Sequence, residues 1–327
     1  MGHLHTYARW SSRLAFRAKA TKTEAMIAAW RRLALTLTHL NAAAQLFSGC
    51  NNAEFICDPL EAPPAIDWVD IDERARIVFD VSCIDLTDDE LAAKYGTPAT
   101  EAIVRTLPSD TRYLLLIDRA QNEQGLFLPG TQFGNLEEII TNLDQAPIFD
   151  EELGATFHRG FLGAATGVRT DVATFLIPGF SIRLTGYSLG GATVAILALQ
   201  LQRDGFQVES ILTFGQPRVT DRAGAALFSG QPILRIKAGL DGVTHLFAPQ
   251  YVHYGDEIIL LDGDRIVYLN QNDRNYDAST DPDVLGEIFT DHQTYLTRIA
   301  LKLDGTTQTS FCESERFITP AEPLVCE

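Results

Sequence analysis

Positive charge is scarce in this sequence: 26 Lys and Arg stand against 43 Asp and Glu, for a formal net charge of −17. A surface that binds phosphates needs clustered Lys and Arg that release counterions, so the balance excludes nucleic acid as a partner. Long apolar runs are missing as well. No stretch approaches the roughly 18–20 apolar residues of a spanning helix, which excludes a transmembrane helix. The five cysteines, at 50, 57, 83, 312 and 326, show no CxxC spacing and hence no metal-like pattern. Cys312 and Cys326 could close a loop in the Pro-containing tail of an exported protein; isolated free thiols are the alternative. There is no internal repeat and no low-complexity linker.

What is present is a chain of 327 residues, 46% hydrophobic and 21% charged, of ordinary globular composition. That length accommodates one large domain with an extension. The extension is residues 1–60. Its first fifty residues hold seven Lys and Arg and one acid, so the acidity belongs to the remainder, residues 61–327. From Met26 a basic start, an apolar middle and Phe47-Ser48-Gly49-Cys50 follow in the order of a lipoprotein export signal, with Cys50 acylated. Trp30, Leu33, Leu37, Leu40, Ala44 and Phe47 also recur at helical spacing, as in an amphipathic helix packed on a domain. Both readings stand, and with them either a secreted or extracytoplasmic location or a cytoplasmic one.

Beyond residue 60, short apolar runs alternate with helical patterns, which predicts an α/β fold with a mainly parallel central sheet flanked by helices. Residues 113–118 and 125–128 read as a strand pair joined by a polar turn. Residues 157–176 read as mostly helical, and 181–185 as the strand entering the motif below. Residues 191–203, apolar nearly all round, read as a buried helix. Strands follow at 210–214, 233–237 and 257–261.

Gly186-Tyr187-Ser188-Leu189-Gly190 lies between that strand and that helix. A GxSxG turn of this kind presents its serine at strained backbone angles with the hydroxyl exposed, and the flanking positions must be small because strand and helix approach there. Gly186 and Gly190 meet this demand. The backbone N–H of Leu189 falls at a helix N-terminus, where an oxyanion is favoured. A glycine-rich turn without chemistry is the plainer alternative.

A serine nucleophile needs a base, and the base an orienting acid, in the order Ser, acid, His for an elbow fold. Asp241, just past the strand at 233–237, is the first candidate acid; Asp221, one strand earlier, is the second. His245, His253 and His292 follow Ser188. His292, after the last predicted strand, is the first candidate base, and the other two read as structural.

Together these segments resemble the class 3, or fungal-type, lipase family of the α/β-hydrolase superfamily. The resemblance runs from about Tyr113 to Leu296 and rests on Thr185-Gly186-Tyr187-Ser188-Leu189-Gly190-Gly191-Ala192, Phe214-Gly215-Gln216-Pro217-Arg218-Val219, Asp241-Gly242-Val243, His253-Tyr254-Gly255-Asp256-Glu257 and Asp291-His292-Gln293-Thr294-Tyr295. It implies Ser188, Asp241 and His292 as the triad and His253 as non-catalytic. It also implies that the backbone N–H and hydroxyl of Thr131, in Gly130-Thr131, join Leu189 N–H in the oxyanion hole. Pro129 stands where the family usually has Arg. His158-Arg159-Gly160-Phe161 resembles a structural His-x-Gly-Phe element.

A lid is implied over residues 132–150, with Leu136, Ile139 and Ile140 facing the site or a lipid–water interface; a plain surface helix is the alternative. The expected activity is hydrolysis of ester or lipid substrates through an acyl-enzyme, with no metal or organic cofactor. Short-chain or feruloyl-type esters, or lipid binding without catalysis, are the alternative functions.

Overall fold

The computed structural model describes residues 65–83, 85–130, 144–247, 250–270 and 291–303, and the backbone of 308–310. The extension at 1–60, Cys50, Cys312, Cys326, Thr131 and the three lid residues Leu136, Ile139 and Ile140 all lie outside the described residues. No helix among the described residues is long and apolar enough to cross a membrane.

The chain enters through two helices absent from the sequence reading. In α1 (Trp68–Ser82) the Asp67 side chain caps the first turn by accepting from Asp70 N. In α2 (Asp88–Tyr95) Thr87 and Glu90 form a reciprocal capping box. Three antiparallel strands follow: β1 (Thr100–Thr106), β2 (Arg112–Asp118) and β3 (Glu123–Leu128).

A small hairpin of β4 (Pro147–Asp150) and β5 (Ala155–His158) leads into α3 (Arg159–Val172). The sequence reading ran its helix back to residue 157. Instead Phe157 and His158 pair with Ile148 and Pro147, and a strand of four residues is too short to reveal its period in sequence.

Then come β6 (Ser181–Tyr187), α4 (Leu189–Arg203), β7 (Gln207–Phe214), the short α5 (Arg222–Ala226) and β8 (Ile233–Ala238). The strands β9 (Asp256–Leu260) and β10 (Arg265–Leu269), the helix α6 (Tyr295–Ala300) and β11 (Gln308–Ser310) complete the chain. One nine-stranded sheet runs β1-β2-β3-β6-β7-β8-β9-β10-β11, and β3 to β9 within it are parallel. The expected mainly parallel sheet is therefore found, with antiparallel strands added at both ends.

Strand alternation distributes the core over two faces. Leu115, Leu126, Leu184 and Ile211 pack on one face with Phe161, Ala165, Val168 and Val172 of α3 and the apolar positions of α4. Their neighbours Leu114, Phe127 and Leu212 pack on the other face with Ile71, Ala75 and Val78 of α1 and Ile299 of α6. Every residue of α4 from Gly190 to Leu201 is buried, as its all-round apolarity predicts. Burial of each Leu, Ile or Val there contributes about 1.5–3 kcal/mol.

One buried charge ties α1 to the sheet. The Arg74 guanidinium donates to Thr185 Oγ1 (2.8 Å), Leu184 O (2.5 Å) and Ser210 Oγ (3.1 Å), and burial pulls its pKa down to about 10. At the end of α1, Cys83 is disulfide-bonded, which corrects the free-thiol reading for that residue; its partner lies outside the described residues.

Candidate active site

The turn from β6 into α4 is where the glycines act. Ser188 has φ 54° and ψ −124°, a left-handed conformation that costs a non-glycine residue about 1–3 kcal/mol. Its N–H donates to Phe214 O at the end of β7 (2.8 Å), which fixes the turn to the neighbouring strand. A Cβ on Gly186 would lie 2.4 Å from Gly190 O, and a Cβ on Gly190 would lie 2.2 Å from Pro129 O and 2.3 Å from Leu128 O. Only glycine fits at either position. Gly130 is held in the same way, since a Cβ there would meet Ser188 Cβ at 2.6 Å. The backbone at Gly130 thus lies directly against the serine.

Contrary to the expected exposed hydroxyl, Ser188 is fully buried. Its Oγ has no hydrogen-bond partner among the described residues. Leu189, half-buried, is the first residue of α4, so its N–H has no acceptor within the helix.

Asp241 follows β8 and is the N-cap of a 3₁₀ turn (Gly242–His245), with Oδ1 accepting from Val243 N at 2.9 Å. Its Oδ2 meets His292 Nδ1 at 2.8 Å and accepts from Tyr295 Oη at 2.5 Å. Both Asp241 and His292 are buried, and His292 Nε2 has no partner among the described residues. A carboxylate at Nδ1 that accepts two donors keeps its own orientation and directs the imidazole to carry its proton on Nδ1, with Nε2 free to accept.

The His–Asp pair is held beside the serine turn. The Tyr187 ring stacks on His292 at 4.8 Å between centroids, and Tyr187 Oη donates to His292 O at 2.7 Å. Gly215, the residue after Phe214, has φ +60°, and a Cβ there would lie 2.6 Å from His292 Cε1 and 2.8 Å from Asp241 Oδ2. Burial, and then the Asp241 charge, push the Tyr295 phenol well above its ordinary pKa, so it stays a donor at any physiological pH.

The other candidates lie elsewhere. Asp221 caps α5 by accepting from Gly224 N (2.9 Å). His245 Nε2 contacts Lys237 Nζ at 2.8 Å, and His253 Nε2 bonds Thr244 O at 2.6 Å. Burial, followed by the Arg235 and Arg218 charges, holds His253 well below its usual pKa and therefore neutral. His158, buried against Phe161, Phe247 and Tyr251, is likewise pulled by burial to about 4.

Three groups of this site have no role assigned from sequence: Tyr187, Gly215 and Tyr295. Tyr295 carried a signal in its nearness, because it opens α6 directly after the turn that holds His292. Tyr187 and Gly215 lie inside quoted motifs, but they meet His292 only through the fold, from far along the chain.

Residues 126–251, which hold Ser188 and Asp241, match the family Lipase (class 3). The chain is 30% identical over 172 residues to a lipase of Rhizomucor miehei, covering 48% of this chain and 47% of that protein. It is also 30% identical over 136 residues to the secreted mono- and diacylglycerol lipase 1 of Fusarium solani, covering 36% and 40% respectively. The chain thus spans less than half the length of either relative. Among solved structures, a triacylglycerol lipase with a serine-protease triad at its catalytic centre superimposes with a TM-score of 0.51 at 25% identity, covering 61% of this chain and 83% of that one. The fold is that of an α/β-hydrolase.

Proposed function

We propose that this chain, which matches the class 3 lipases over residues 126–251, is a serine carboxylester hydrolase acting on fatty acyl esters such as acylglycerols. One observation carries the reading: two buried side-chain atoms without partners among the described residues, Ser188 Oγ and His292 Nε2, belong to residues held together through Tyr187, with Asp241 bonded to the far side of the imidazole. A buried polar atom left unpaired costs about 1–3 kcal/mol, which makes such a pair costly unless it has work to do.

In the proposed reaction His292 Nε2 takes the Ser188 proton while Oγ attacks the ester carbonyl. The resulting oxyanion is met by Leu189 N–H at the start of α4 and by Thr131 N–H. Collapse of the tetrahedral species expels the alcohol, which receives the proton from His292, and leaves the acyl group on Ser188. Water activated by the same imidazole then releases the acid. Asp241 holds the tautomer and stabilises the imidazolium throughout.

Relatives named lipase and acylglycerol lipase support a lipid substrate. The disulfide at Cys83 and a relative described as secreted support an extracellular protein, since disulfides persist in oxidising compartments. Ser188→Ala is expected to lower ester hydrolysis by at least about 10³-fold. Rates on p-nitrophenyl esters of rising chain length, beside emulsified triacylglycerol, test the substrate. Turnover confined to short soluble esters would replace the acylglycerol reading with that of a soluble esterase.

A further inference from the structure

The His292 segment must be set against the Asp241 loop to a fraction of an ångström, yet the two are about fifty positions apart in the chain. The side-chain bond between His292 and Asp241 cannot do this alone, because the imidazole must stay in register as its charge changes during turnover. A second link joins the same two segments one residue earlier on each. The Asp291 carboxylate accepts from Leu240 N at 2.7 Å through Oδ2 and from Arg298 Nη2 at 3.1 Å through Oδ1. Arg298, itself buried, donates further to Thr294 Oγ1 (2.9 Å) and to Asp262 Oδ1 (2.8 Å) beyond the end of β9. Asp291 O in turn accepts from Thr294 N and Thr294 Oγ1, which closes the turn into α6.

We infer that Asp291 is a positioning residue, a clamp that fixes the backbone before His292 to the backbone before Asp241 and so holds the imidazole at its working angle. The inference rests on the proposed roles of Ser188, His292 and Asp241. The carboxylate is nearly withdrawn from water, and burial raises its pKa while Leu240 N–H and Arg298 oppose that rise. A carboxylate kept in such a place for stability alone has no reason to bridge the two loops that meet at one imidazole. Asp291 touches neither substrate nor the reacting atoms, and it acts through His292.

The clamp and the charge are separable. Asn at position 291 keeps an oxygen acceptor for Leu240 N–H but loses the charge that faces Arg298, whereas Ala loses both. The experiment measures kcat and KM for a p-nitrophenyl ester with Asp291→Ala and Asp291→Asn, each referred to sites titrated to end point with a fluorophosphonate. Titration counts competent molecules, so poor folding reduces the number of sites and clamp loss reduces the rate per site.

Expected for Asp291→Ala is a roughly 10–100-fold fall in kcat per site with KM within about twofold, the pattern of a misaligned general base. Asp291→Asn is expected to recover kcat to within roughly threefold of wild type, as an alternative acceptor should. Wild-type kcat per site in Asp291→Ala overturns the clamp, and so does an Asn variant no better than Ala. Failure of the underlying reading looks different: the wild-type protein itself would hydrolyse ester without taking up the probe at Ser188.

Discussion

The serine turn and the His–Asp arm reach one site by opposite routes. The turn is built within five residues: glycines at 186 and 190 let β6 and α4 close on each other, and a single backbone bond from Ser188 N to Phe214 O anchors it. The arm is assembled from the end of β8, a glycine after β7, a tyrosine of β6 and the start of α6, through side-chain bonds that span fifty or more positions. The turn stores its precision in steric exclusion, which is all-or-none. The arm stores it in a set of hydrogen bonds, which can be lost one at a time. Substitutions in the turn should therefore fail abruptly, and those in the arm should give graded losses.

Gly190→Ala is the harshest probe of that contrast. Its Cβ would strike two backbone oxygens, Pro129 O and Leu128 O, neither of which can swing away. Overpacking of this kind is expected to cost about 3 kcal/mol and to lower the thermal midpoint by roughly 6–12 °C. Hydrolysis should fall at least about 10³-fold with it. An alanine variant that melts and turns over like wild type would show that the turn is looser than its geometry.

Gly215→Ala comes next and is the one steric test within the arm. It combines a left-handed backbone at φ +60° with a methyl placed against both His292 and Asp241. A fall in kcat of about 100-fold is expected with only about 1–2 kcal/mol of stability lost, because the displaced neighbours are side chains. If stability fell as far as in Gly190→Ala, the distinction between the two regions would dissolve.

How much of this was legible in sequence follows the same division. The demands of the elbow are local, so residues 186–190 with the apolar strand before and apolar helix after them announced the turn, and α4 proved buried all round as its composition required. Asp241 and His292 were reachable because catalytic loops gather at the carboxyl ends of parallel strands. The helix α1 was not read, and Arg74 explains why: its buried face carries a guanidinium that satisfies Thr185 and Leu184, so the apolar stripe is broken where the helix meets the sheet. Gly215 was visible only as one residue of a resembling motif. Its reason, room for an imidazole arriving from far along the chain, is a long-range fact that no local pattern encodes.

A graded loss is the expectation for Tyr295→Phe. Asp241 Oδ2 would keep His292 Nδ1 and lose the phenol that shares it at 2.5 Å. With one of two side-chain donors gone, kcat is expected to fall about 3–10-fold with little change in KM, as measured by steady-state kinetics. A thousandfold loss would mean that the arm, too, behaves as a single unit.

An effect that emerges only in acid concerns His158, outside both regions. Burial lowers its pKa from 6.5 to about 4, so the folded protein holds it neutral while the unfolded chain takes up a proton below about pH 6.5. Its contribution to stability is present above pH 6.5 and is lost as the pH falls toward 4. Chemical denaturation from pH 7 to pH 4 should show a shallower decline in His158→Phe than in wild type. His253, shifted in the same direction, leaves part of the slope in place.

In the proposed reaction Ser188 Oγ is the atom that carries the acyl group. Intact-mass and peptide-level mass spectrometry after fluorophosphonate treatment, run beside quenched turnover of a p-nitrophenyl ester, measures this for wild type and His292→Ala. The expected result is one adduct per chain on the peptide containing Ser188, loss of ester turnover in step with its formation, and labelling slowed by at least about 10³-fold in His292→Ala. An adduct on another residue, or undiminished hydrolysis by fully labelled protein, would contradict it.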